Sequence, residues 1–217
     1  KYSYIGLAII ILIFGVIVIL KIVGTLSSGE VVKENRTESL QENTLAYVLK
    51  DGEKRGVLPF KFVNQDNDTI TNETYKGKVY VAEFFFTSCP TICPIMTEQL
   101  FRVHEKFKSE DRLKIVSFTL DPEYDTPEKL QDHAVRRGID THQWWFLNDK
   151  KSETYELAQK GYFVTALEDS SEPGGIVHSG KGSLIDKKGR IRAYYDGTIE
   201  ADVNVLINDI ATLLEEK

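Results

Sequence analysis

The sequence predicts an α/β fold, a sheet with helices on both faces, preceded by a single N-terminal transmembrane helix. Three observations carry this. Two apolar runs of strand length, 79–86 and 113–120, are each followed by a helical pattern, as strands buried beneath helices are. The chain closes with two strands around a Lys187-Lys188-Gly189 turn, then a helix with apolar residues at Val203, Val205, Leu206, Ile210 and Leu213. At the other end, residues 5–20 are apolar and carry no charge.

That opening stretch continues past Lys21 with Ile22 and Val23, close to the roughly 20 apolar residues that cross a bilayer, and Tyr2, Tyr4 and Lys21 suit interfacial positions. Residues 1–23 are therefore expected to anchor the chain in a membrane. A cleavable signal peptide is the weaker reading, because the stretch is long for one and no small-residue cleavage site follows. Lys1 and Lys21 flank it evenly, so charge leaves the orientation open. The chain begins at Lys1 rather than Met, so a few residues are expected to precede it. Residues 24–57 are polar and charge-mixed and read as a linker, with one short helix expected around 39–49. The folded domain is expected over 58–217. At 41% hydrophobic and 11% aromatic, a chain of 217 residues has material for one core. The net charge of −6 and the lack of a basic cluster exclude nucleic acid as a partner.

Within the domain, 60–63 and 69–71 flank the turn-rich Asn64-Gln65-Asp66-Asn67-Asp68 and read as a hairpin. Tyr75-Lys76-Gly77-Lys78 then turns into the central strand. Proline is best tolerated at the first helical position, so Pro94 predicts a helix from 94 to about 107 with Cys93 as its cap. Thr126 and Pro127 open the next helix, which ends near Gly138. A short strand at 143–147 carries Trp144 and Trp145, expected to pack or to cover an edge. A helix is expected at 151–160, a strand at 162–167, and a loop at 169–179 centred on Pro173-Gly174-Gly175. The closing hairpin pairs 183–186 with 190–195.

Cys89 and Cys93 are the only cysteines, four positions apart, and each is followed by proline. Two cysteines exclude a disulfide-stapled scaffold and a four-cysteine zinc site. Free N–H groups and the positive end of a helix dipole favour thiolate over thiol, which suits a nucleophile, a redox couple or a soft-metal ligand. Strand, cysteine loop and helix together form the active-site corner of a thioredoxin-like sheet. The three-residue gap, wider than the two-residue gap usual in dithiol oxidoreductases, tilts the reading towards metal. Taken alone the pair stays open to a structural disulfide or a zinc half-site. In such a sheet His178, before the closing hairpin, is expected beside the cysteine loop. Two thiolates and an imidazole suit Cu(I), and would hold Cu(II) or zinc with an added ligand. His104, His133 and His142 are expected at the surface and Met96 in the core. Asp121 and Asp125 are open to tuning the site, docking a partner, or serving turns and caps.

Three motifs in order carry a resemblance. Thr87-Ser88-Cys89-Pro90-Thr91-Ile92-Cys93-Pro94 follows one apolar strand, Thr119-Leu120-Asp121-Pro122-Glu123-Tyr124-Asp125-Thr126-Pro127-Glu128 the next, and His178-Ser179 precedes Leu184-Ile185-Asp186-Lys187-Lys188-Gly189. Together they resemble the Sco (SenC-type) copper chaperones, from about Leu58 to the C-terminus plus the preceding anchor. The resemblance implies a membrane-tethered thioredoxin fold that binds copper through Cys89, Cys93 and His178. It also implies a role in building the binuclear copper centre of cytochrome c oxidase, with the oxidase's copper-bearing subunit or another copper chaperone as partner. The soluble domain would face the bacterial periplasm or the mitochondrial intermembrane space. One departure is the Gly174-Gly175-Ile176-Val177 approach to the histidine, where the family carries bulkier residues.

Two other chemistries compete. A thiol–disulfide oxidoreductase would use Cys89 as attacking and Cys93 as resolving thiol, and would reduce the cysteines of the oxidase copper site without needing His178. A peroxiredoxin-like peroxidase needs an arginine beside its cysteine, and none follows the motif before Arg102.

Overall fold

The structure, a computed structural model, describes residues 45–216. The expected anchor at 1–23 and residues 24–44 of the expected linker lie outside the described residues. Among the described residues no helix is long and apolar enough to cross a membrane.

The elements are β1 (Leu49–Lys50), β2 (Glu53–Lys54), β3 (Lys61–Asn64), β4 (Thr69–Thr71), a 3-10 turn (Asn72–Tyr75), β5 (Val79–Phe85), α1 (Ile92–Lys106), β6 (Leu113–Thr119), α2 (Pro127–Arg137), β7 (Trp144–Asn148), α3 (Lys151–Glu156), a π-helical turn (Leu157–Tyr162), β8 (Ala166–Glu168), β9 (Ile176–His178), β10 (Lys181–Ile185), β11 (Ile191–Asp196) and α4 (Glu200–Glu215). The main sheet runs β11-β10-β5-β6-β7-β3-β4. Its centre, β5 with β6 and β6 with β7, is parallel, and β10, β11, β3 and β4 join antiparallel.

Every residue of β5 is buried although its side chains alternate between faces, so both faces are covered. Ring contacts show by what. Phe84 meets Tyr162 edge-on at 5.5 Å, while its neighbour Phe85 lies 5.6 Å from the His133 ring of α2. Adjacent strand residues point oppositely, so α2 and the 157–162 turn cover opposite faces. Successive right-handed crossovers in one direction put α1 on the same face as α2, and α4 packs on α1 and β11. The thioredoxin-like arrangement with helices on both faces is thus present in the domain. Thr126 accepts from the Lys129 N–H, Pro127 opens α2, and Gly138 closes it at φ 65°, as its sequence predicts.

Several expectations need correcting. The chain at 45–57 is docked on the domain rather than trailing as linker. Leu45, Val48 and Val57 pack on the core, the Val48 N–H donates to the Ile191 carbonyl (3.1 Å), and the Val57 N–H donates to Gly189 (3.0 Å). No helix spans 45–49; Leu49–Lys50 pairs with Glu53–Lys54 instead. The strand expected from 162 shrinks to Ala166–Glu168, because the preceding helix runs on to Tyr162 and leaves Phe163 left-handed at φ 58°. The expected 169–179 loop contains β9, which pairs with β8 and places His178 opposite Ala166.

His104 and His133 are buried, contrary to the surface placement expected of them. His104 bonds through Nδ1 to Gln143 Oε1 (2.8 Å), and its Nε2 accepts from the Asp140 N–H (3.3 Å), tying α1 to the chain entering β7. His133 lies against Phe85 and Phe146, and burial pushes its pKa down to about 4. Both occupy the sheet-facing side of amphipathic helices, where their polar sequence neighbours lie on the other side. His142 is exposed and Met96 is buried, as expected.

Candidate metal centre

The site is assembled by register. In the β5–β10 ladder Ser183 pairs with Ala82 and Leu184 with Val81, so the antiparallel run puts the chain just before β10 at the same end of the sheet as the chain just after β5, where the cysteine loop begins. A histidine 85 positions from Cys93 therefore meets it across neighbouring strand ends. His178 Nε2 lies 3.2 Å from Cys93 Sγ and 3.9 Å from Cys89 Sγ, and the three donor atoms all fall within 4.8 Å of one another. Among the described residues this is the one group of three or more Cys, His, Asp and Glu side chains so placed.

Helix α1 begins two residues earlier than its proline suggests, at Ile92 after Thr91, so Cys93 lies inside the first turn rather than capping it. Pro94 is still tolerated, because the first N–H groups of a helix have no intrahelical acceptor. This shift aims the turn at Cys89. Burial by itself raises the Cys89 thiol, but the backbone N–H groups of Cys93 and Thr91, the Thr91 hydroxyl (3.6 Å from Sγ) and the Cys93 thiol outweigh it, and the pKa falls below its ordinary value. Cys93 goes the other way. Burial pushes its thiol far up, and the Cys89 sulfur and the Glu83 carboxyl push in the same direction. The shift towards thiolate expected of both sulfurs is thus found at Cys89 and reversed at Cys93. Both are free thiols, at 7% and 5% exposure, one layer beneath the exposed Ser88, Pro90 and Thr91.

His178 is half-buried, and burial lowers its pKa against a backbone contact from Ser179, which keeps the ring neutral and ligand-competent at pH 7. The Phe86 ring meets it edge-on at 5.6 Å. A Cβ on Gly174 would come within 2.8 Å of the Phe86 ring, so only glycine lets the 169–175 turn close there. Met96 stays in the packing around Gly197 and is not part of the donor group.

A sequence profile described as SCO1/SenC matches residues 50–215. The chain belongs to the SCO1/SenC family. Among Sco relatives, the SCO1 protein homolog of Bacillus subtilis (strain 168) is 32% identical over 164 residues, covering 75% of this chain and 84% of the relative. The crystal structure of a SCO1/SenC family lipoprotein from Bacillus anthracis str. Ames superposes with a TM-score of 0.69 at 28% identity, over 77% of this chain and 100% of that one. BsSco, described with a disulfide switch and as a member of the Sco family of cytochrome c oxidase assembly proteins, gives a TM-score of 0.68 at 32% identity, over 78% and 99%. The resemblance read from the three Sco motifs is therefore correct at the level of family and fold.

All three site residues singled out in the sequence are brought together. Phe86 and the Thr87–Asp125 contact were not singled out as parts of this site. Thr87 and Thr91 stand in the first motif, Asp125 in the second and Gly174 in the approach to His178, but none of these signals says what the residue touches.

Proposed function

We propose that the chain is a membrane-anchored copper chaperone that binds copper through Cys89, Cys93 and His178 and delivers it to cytochrome c oxidase during assembly. The observation that carries this is the approach of two sulfurs and one imidazole nitrogen to within 4.8 Å of one another from separate parts of the fold. Thiolate and imidazole suit Cu(I), and the site offers three protein donors rather than a closed cage of four. A metal held by three donors is open to attack by a fourth from a partner, which is what transfer by ligand exchange requires. Binding displaces the Cys93 proton, so loading is coupled to proton release. Likeness to BsSco, described as a member of the Sco family of cytochrome c oxidase assembly proteins, supports the oxidase copper-bearing subunit, or another copper chaperone, as partner. On this reading residues 1–23 anchor the chain, and the domain faces the bacterial periplasm or the mitochondrial intermembrane space.

The test is the copper content of anaerobically purified protein, parent beside Cys89→Ala and His178→Ala. The parent is expected to hold one copper per chain and both variants to lose it. A His178→Ala variant that keeps copper as tightly as the parent rules out this ligand set.

A second reading, reduction of the copper-site cysteines of the oxidase subunit, is favoured by the unequal acidity of the two thiols. The Cys89 thiolate would attack the target disulfide, releasing one target thiolate and forming a mixed disulfide. Cys93, losing its proton to that thiolate, would then displace the second target sulfur and leave a Cys89–Cys93 disulfide. His178→Ala separates the readings, since exchange persists without the imidazole and copper retention does not.

A further inference from the structure

We propose that Asp125 is a positioning residue of the metal centre, acting through Thr87 to set the entry of the cysteine loop and hence the place of Cys89. This rests on the proposed site for its copper arm and on geometry alone for its thiol arm.

Asp125 is fully buried. A carboxylate withdrawn from water is costly unless donors replace the water, and here three do. Oδ2 accepts from the Thr87 backbone N–H (3.0 Å) and from the Thr119 hydroxyl (2.5 Å), and Oδ1 accepts from the Thr87 hydroxyl. The partners are informative. The β5–β6 ladder ends at the pair Phe85–Thr119. Thr87 lies beyond it, where no strand takes its N–H, and the Asp125 carboxylate takes it instead.

Asp125 is itself held on a rigid base. Its N–H donates to the Asp121 carbonyl (2.8 Å), and its carbonyl accepts from Asn148 Nδ2 (2.6 Å) at the end of β7. The next residue, Thr126, caps α2. The first residue of the loop is therefore tied to β6, β7 and α2 at once. On its other side the loop is closed by the Cys89 N–H donating to the Phe86 carbonyl (3.2 Å). Thr87 sits between these two fixings, two residues before Cys89. A donor set this small needs its sulfur placed within a fraction of an ångström, and the Asp125–Thr87 clip is the tie that reaches it from across the sheet.

The experiment compares the full chain with Thr87→Val, Thr87→Ser, Asp125→Asn and the Thr87→Val/Asp125→Asn double variant. Valine keeps the shape and the backbone N–H of Thr87 and removes only the hydroxyl; serine restores it. The metal-free readout is the rate of iodoacetamide alkylation of Cys89 at fixed pH. The second is retention of Cu(I) against a chromophoric chelator. T87V and D125N are each expected to change the Cys89 rate severalfold and to weaken Cu(I) retention by about tenfold. T87S is expected to behave as the parent, and the double variant to lose no more than D125N alone, since the Thr87 hydroxyl contact that T87V removes is one of the three that D125N disturbs. Cys89 rates equal to the parent's in T87V and D125N overturn the proposal, as does a T87S variant as impaired as T87V. If D125N does not fold, the valine–serine pair decides alone. If the parent itself retains no Cu(I), the copper reading fails while the alkylation rates still decide the positioning role.

Discussion

Two sulfurs four positions apart in the chain meet opposite surroundings, and their chemistry follows. Cys89 faces N–H groups and falls in pKa, whereas Cys93 faces the protein interior and rises. At neutral pH, Cys89 is expected to be alkylated at least about tenfold faster than Cys93, because the thiolate is the form that reacts, as read by peptide mapping of partly modified protein. Equal labelling contradicts the asymmetry. Behind Cys93 lies Glu83, 1% exposed, with Oε1 accepting from the Ser117 hydroxyl (2.6 Å) and Oε2 buried without a partner among the described residues. Burial pushes its pKa up to about 7 from an ordinary 4.5. Its native pKa is raised, so between those values the folded state binds more protons than the unfolded one, and stability falls as pH rises through that window. The loss is on the order of 3 kcal/mol. His133, with its pKa lowered to about 4, has the opposite sign, adding stability as pH rises from 4 towards 6.5. The parent curve therefore mixes the two, and the difference between the parent and Glu83→Gln isolates the carboxyl. Urea unfolding at pH 5 and pH 8 is expected to show Glu83→Gln gaining on the parent at the higher pH.

The β8–β9 ribbon and the turn between its strands present His178 to the sulfurs, and two adjacent glycines test how tightly. Gly174 has φ 88° and lies against Phe86, while Gly175 has φ 76° and faces open space. Alanine at 175 adds backbone strain alone, about 1 kcal/mol. Alanine at 174 adds the same strain and drives a methyl into the Phe86 ring, for a total of about 3 kcal/mol. Chemical denaturation of Gly174→Ala and Gly175→Ala measures the gap. Because Phe86 packs on His178, only Gly174→Ala is expected to lower Cu(I) retention as well, and equal retention in the two variants would detach the turn from the site.

The two ends of the described chain are tied to each other through one buried cation. The Arg192 guanidinium, its side chain wholly buried, reaches Glu216 Oε2 (2.6 Å) and Oε1 (2.9 Å), Asp186 and the carbonyls of Leu45 and Ala46, and lies 4.1 Å from the Tyr47 ring. The Leu45 N–H closes the loop by donating to Glu216 Oε1 (2.8 Å). Removing one member strands buried charges, so Arg192→Met is expected to cost about 3–5 kcal/mol. Native-state proteolysis should then cut within 45–57 first, as those residues lose their dock. If Arg192→Met unfolds at the parent's urea midpoint, the cluster is not what holds the segment.

Local pattern, read without coordinates, specified the strands at 79–86 and 113–120, the Thr126–Gly138 helix with both its caps, the two hairpins and the family. Each depends on neighbours within a few positions, and a periodicity of two or 3.6 records that directly. The three donor residues were legible because their motifs stand in a recognisable order. The docking of 45–57, the burial of His104 and His133, the divergent acidity of Cys89 and Cys93 and the Asp125–Thr87 clip were not legible. All of these depend on which distant groups lie within a few ångströms, through desolvation and hydrogen bonds whose strength falls off over that distance, and only the folded chain establishes such neighbours.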